Sequence, residues 1–147
     1  MATETVSALN DLIESLKDGE KGFRTASEQV KDPGLKSAFE QLSEQRARFA
    51  RELQIEVTAF GGEPEITGST AAAAHRGWIN IKGALGGGEK SILNEAERGE
   101  DSAVHSYEQA MNAELPANVA TVVRTQFAEV KRAHDRVRDL RDTWTKR

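Results

Sequence analysis

The chain has 147 residues, of which 30% are charged and only 5% aromatic, with a net charge of −4 and no cysteine. That length suits one domain with a real core; the composition excludes disulfides and thiolate metal sites and fits a helical bundle better than an all-β fold, which needs aromatic and β-branched runs. No apolar run approaches the roughly 18 residues of a membrane span, and Met1-Ala2-Thr3-Glu4 does not open a signal peptide, so a cytoplasmic protein with no membrane partner is expected.

The first periodic segment runs from about Thr5 to Val30, with Leu9, Ile13, Leu16, Phe23, Ser27 and Val30 at helical spacing. Lys31-Asp32-Pro33-Gly34 then breaks the pattern. Asp32 is a good N-cap and Pro33 suits the first helical position. So short a link makes the first two helices antiparallel neighbours. The second segment, Pro33 to Phe60, places Leu35, Phe39, Leu42, Phe49, Leu53, Val57 and Phe60 on one face, and Gly61-Gly62 supplies a left-handed stop.

From Glu63 to Gly88 the chain reads as a long crossover. It is expected to carry a short helix from about Ala71 to Leu85, with Trp78 and Ile79 packing it onto the bundle. His75-Arg76-Gly77-Trp78 is alternatively a small anion or partner site. The third long helix runs from about Glu89 to Ala113, with Leu93, Ala96, Ala103, Tyr107 and Met111 facing inward. The last begins at Leu115-Pro116-Ala117 and presents Val119, Val122, Val123, Val130, Ala133, Val137, Leu140 and Trp144. Short link, long crossover, short link is the connectivity of a ferritin-like four-helix bundle, all-α, built from two antiparallel hairpins. One domain spans residues 1–147.

Each apolar stripe is interrupted by one polar residue: Glu20, Arg46, Glu100 and Gln126. A buried carboxylate is costly unless it is paired or protonated. Counted from turns centred at Asp32 and Glu114, the members of each hairpin lie roughly level. The expectation is a single polar layer of Glu20, Arg46, Glu100 and Gln126, in which Arg46 forks to both carboxylates and Gln126 fills the remaining hydrogen bonds. Glu52 and Glu56 on the second helix, and Glu129 and His134 on the fourth, flank it; Tyr107 stands two turns from Glu100.

The competing reading of the same positions is an iron or manganese site made by Glu20, Glu100, Gln126, Glu129 and His134. Di-iron bundles use one Glu on each of two helices and Glu-x-x-His on the other two, and carboxylate with imidazole suits these metals. Gln126 and Glu129 resemble the Gln variant of that motif in heavy-chain ferritins. Helix two departs from the pattern. Arg46-Ala47-Arg48-Phe49 sets Arg where a ligand Glu belongs and Phe where a His belongs, and a cation there repels a metal. Without a metal, no cofactor is implied.

Eight Lys/Arg against four Asp/Glu from Pro116 onward leave the last helix basic. Asp135, Asp139 and Asp142 are interleaved with its arginines at helical spacing, so a solvated face of intrahelical pairs is expected, and nucleic acid is not an expected partner. No Ser-His-Asp or Cys-His arrangement offers a nucleophile, and Gly86-Gly87-Gly88-Glu89-Lys90 lacks the frame of a phosphate loop.

The combination of Leu9-Asn10-Asp11-Leu12-Ile13, Lys17-Asp18-Gly19-Glu20-Lys21-Gly22-Phe23, His75-Arg76-Gly77-Trp78, Glu97-Arg98-Gly99-Glu100-Asp101 and Lys131-Arg132-Ala133-His134-Asp135 resembles a bacterial, mostly proteobacterial, four-helix-bundle family of unknown function within the ferritin-like superfamily. The resemblance covers nearly the whole chain. It implies a ferritin-like bundle and no established activity. A stress role follows by analogy with related ferritin-like proteins. The function expected is therefore a non-catalytic interaction or stress protein, a homo-oligomer with a dimer as first guess, with the metal-binding protein or weak oxidase as alternative.

Overall fold

The computed structural model describes residues 2–66 and 88–145. Four helices make up almost all of it: α1 (Ala2–Gln29), α2 (Pro33–Ala59), α3 (Gly88–Asn112) and α4 (Ala117–Thr145). No helix among the described residues is long and apolar enough to cross a membrane. The short helix expected from Ala71 to Leu85, with His75 and Trp78, lies outside the described residues.

Local chemistry sets the helix ends. Asp32 has extended backbone, and its Oδ2 accepts from the Leu35 N–H at 3.0 Å, so it satisfies one of the donors the first turn of α2 leaves open. Pro33 follows, with its φ already helical. At the other end, Gly61 takes φ +78°, a conformation that side chains resist. The Gly61 N–H then reaches Thr58 O at 2.9 Å and the Gly62 N–H reaches Val57 O at 3.0 Å, which is the paired bonding of a Schellman cap.

α1 packs along α2, α3 packs along α4, and α1 also lies along α3. α2 meets α4 more loosely, and α2 and α3 stand across the bundle from one another. They run in the same direction. Glu89, in the first turn of α3, accepts through Oε1 from the Lys31 and Asp32 N–H groups just before α2, at 2.7 and 3.1 Å. Farther along both helices, Arg46 meets Glu100.

The core is divided. One apolar cluster includes Leu9, Leu16, Phe49, Leu53, Ala103, Tyr107 and Val123. The other includes Phe23, Phe39, Leu42, Leu93, Ala96 and Val137. On α1 the boundary falls between Leu16 and Phe23, on α2 between Leu42 and Phe49, on α3 between Ala96 and Ala103. Glu20, Arg46 and Glu100 occupy those three gaps. Each apolar cluster stabilises the fold by burial, roughly 1.5–3 kcal/mol for each large side chain fully enclosed. The polar gap contributes positional specificity instead.

Candidate functional site: the polar centre of the bundle

Glu20, Arg46, Glu100 and Gln126 are all buried, at 8%, 1%, 0% and 1% exposure. They do not form one layer, however. Arg46 and Glu100 make a bidentate pair, Nη1 donating to Oε1 at 2.6 Å and Nη2 to Oε2 at 2.7 Å. The fork geometry of guanidinium and carboxylate matches, which is why Arg serves here where Lys would supply a point charge. The Nε of Arg46 donates to Gln45 Oε1 at 3.2 Å. The guanidinium also lies over the Phe23 ring, 5.2 Å from its centroid. Its stem runs beside Gly19, where a Cβ would sit 3.6 Å from Arg46 Cγ and 3.5 Å from Nη1.

Glu20 belongs to α1's own charges. Arg24 donates to its Oε2 at 2.8 Å, and Lys17 approaches Oε1 at 2.6 Å as an ion pair outside hydrogen-bonding angles. The contribution of Glu20 to the α1–α2 contact is its backbone, since Ser43 Oγ donates to the Glu20 carbonyl at 2.8 Å. The expectation that Arg46 would fork between Glu20 and Glu100 is therefore corrected: both of its Nη groups go to Glu100. Two cations lie within one turn of Glu20 on its own helix and need no reach across the bundle.

Gln126 is the second correction. It lies in the first apolar cluster's zone, level with Tyr107 rather than with Glu100. Tyr107 donates its hydroxyl to Gln126 Oε1 at 2.8 Å, while Gln126 Nε2 donates to Glu52 Oε1 at 2.8 Å and to the Phe49 carbonyl at 3.3 Å. Burial holds the Tyr107 hydroxyl far above the ordinary phenol range, so it remains a donor. The pairs across α3 and α4, Tyr107 with Gln126 and Asp101 with His134, place the effective centre of the hairpin beyond Glu114. Moving the centre from Glu114 shifts every α4 partner by more than a turn. His134 comes level with Asp101, with Nε2 to Oδ1 at 2.6 Å.

The remaining expected ligands are spread out. Glu129 is half-buried and faces Arg48 at 3.8 Å. Glu56 is half-buried on α2. His134 sits at the α3–α4 groove with its two ring nitrogens toward Asp101 and Asp135. Burial alone would lower the pKa of this imidazole, but hydrogen bonds to Asp101 and Asp135 and the nearby charges of Asp101 and Glu100 raise it above the ordinary histidine value. Among the described residues, the group of three carboxylate or imidazole ligands drawn close together is Glu97, Asp101 and His134, whose ligand atoms lie within 4.8 Å of one another. Sequence reasoning missed Glu97 and Asp101. The signal was available in their spacing of four on α3, but it needed the correct α3–α4 register to bring His134 beside them.

These features define an all-α, four-helix protein with a diagonal ion pair through its centre. Residues 4–113, which span α1 to α3 and contain both Arg46 and Glu100, match the family described as Domain of unknown function (DUF2383), and the chain belongs to that family. No curated protein matches the chain.

Proposed function

We propose that this is a non-catalytic helical-bundle protein that works through its surface, in an interaction or stress-protective role, with a centre built for structural specificity. One observation carries the reading: both oxygens of Glu100, fully buried, are taken by the guanidinium of Arg46. A metal at that height would need those oxygens as ligands and would face a buried cation. Glu20 supports the same reading, because Lys17 and Arg24 already hold its oxygens.

The ferritin-like assignment belongs to this reading. It is supported by two antiparallel hairpins whose middle helices, α2 and α3, run in the same direction across the bundle. In such folds the centre commonly holds two metals; here an ion pair stands in that place. The competing metal reading asks Glu20, Glu100, Gln126, Glu129 and His134 to converge, whereas each has a different partner: Lys17 and Arg24, Arg46, Tyr107, Arg48 and Asp101. A homo-oligomer, with a dimer as first guess, remains part of the proposal.

The test is elemental analysis of protein purified without chelators from cells supplied with iron and manganese. The reading expects no stoichiometric iron or manganese. Near-stoichiometric metal that is lost in both Glu20→Ala and Glu100→Ala would overturn it. Sedimentation of the same sample tests the oligomer: a single species at the mass of one chain would remove that part.

A further inference from the structure

Away from the bundle centre, α3 and α4 meet along a half-exposed strip. Glu97 and Asp101, four apart, project from the same side of α3. His134 comes to them from α4, with Nε2 2.6 Å from Asp101 Oδ1. We propose that Glu97, Asp101 and His134 form a binding site for one divalent transition-metal ion of the zinc type.

The donor set fits that ion. Imidazole nitrogen and carboxylate oxygen are ordinary zinc ligands, and three protein ligands leave a position for water. One ligand atom from each of the three residues falls within 4.8 Å of the others, close enough for side-chain rotation to bring all three onto one ion. Both supporting helices are long, which fixes the spacing better than a loop does.

An observation from outside the ligand set points the same way. The far nitrogen of His134, Nδ1, faces Asp135 Oδ1 at 3.4 Å. Metal-bound imidazoles characteristically give their second N–H to a carboxylate, which fixes the ring and directs the other nitrogen's lone pair to the ion. Nε2 of His134 and Oδ1 of Asp101 already face each other directly. Asp101 is 63% exposed at its side chain, so ion and water have access.

One group competes. Arg141 pairs with Glu97 Oε2 and would have to release it. Asp142 already accepts from Arg141 at 2.9 Å and can retain the guanidinium when Glu97 turns to the ion. The site therefore binds more weakly with Arg141 present than without it.

The experiment is calorimetric titration of the chelator-stripped, full-length protein with Zn²⁺ alone, with circular dichroism on each variant. The expected result is one ion per chain. His134→Ala and Asp101→Asn each weaken binding at least tenfold while keeping wild-type helicity, and Arg141→Gln tightens it severalfold. His105→Ala leaves it unchanged. A second measurement guards against a folding defect: Zn²⁺ raises the melting temperature of the wild type and leaves that of His134→Ala unmoved. Absence of saturable binding by the wild type, or stoichiometric binding that survives His134→Ala, would overturn the proposal.

Discussion

Arg46 on α2 and Glu100 on α3 meet across the bundle through two parallel hydrogen bonds of 2.6 and 2.7 Å, although their helices are not packing neighbours. Neither side chain touches solvent appreciably. Two fully buried charges in this geometry define alignment more than they stabilise, because the desolvation cost offsets most of the attraction. Sliding either helix by one turn would separate the pair and strand both charges between apolar clusters. The pair thus ties the register of one hairpin to that of the other.

Contacts between α1 and the α2 hairpin arm sort two glycines, Gly19 beside Arg46 and Gly62 beside Val6. At Gly19 an added Cβ would make ordinary contact with Arg46, nearest 3.5 Å. Gly19→Ala is therefore expected to stabilise the protein by up to about 1 kcal/mol through helix propensity. At Gly62 the Cβ would fall 2.7 and 2.8 Å from the two methyls of Val6. Valine has no flexible end to withdraw, so Gly62→Ala should cost about 1–3 kcal/mol. Urea melts of the two variants check the opposite signs.

The Tyr107–Gln126 bond is a further polar contact inside the apolar region. Tyr107→Phe keeps the ring's packing, including its stacking on Phe127, and removes only the donor. Gln126 Oε1 is then left buried without that donor, a loss of about 1–3 kcal/mol. Thermal melts should show the destabilisation with no change in helix content.

His134 predicts a pH dependence in the chelator-treated protein. The carboxylates of Asp101 and Asp135 raise its pKa on folding. Protonation is thus favoured in the folded state. The contribution is fully present below the unfolded value of about 6.5 and fades as pH rises through the higher folded value. Because Asp101 is mostly exposed, the effect should stay below about 1 kcal/mol. Comparing melts of wild type and His134→Gln on both sides of that range checks it. The wild-type advantage should shrink with rising pH.

Most of the helical frame could be read in the sequence, because Asp32-Pro33 and Gly61-Gly62 are local signals whose bonding stays within a few residues. The buried status of Glu20, Arg46, Glu100 and Gln126 followed from helical spacing alone. Their partners did not, for two physical reasons. A glutamate on a helix can choose a cation three or four residues away over one across the bundle, and Glu20 does so. The level of a residue in a hairpin depends on its effective centre, and the contacts of α3 with α4 lie about a point past Glu114, so Gln126 meets Tyr107 and His134 meets Asp101. Glu97 and Asp101 look like solvated helix charges until that register is known.

The most direct measurement is a double-mutant cycle on the central pair, with Arg46→Met, Glu100→Leu and the double variant unfolded in urea. Each single variant strands one buried charge and should lose about 3–5 kcal/mol. The double variant removes both charges and should recover most of that loss, with a coupling well above the few tenths of a kcal/mol seen for independent sites. Additive losses, or single variants as stable as the wild type, would contradict a diagonal ion pair at the heart of this fold.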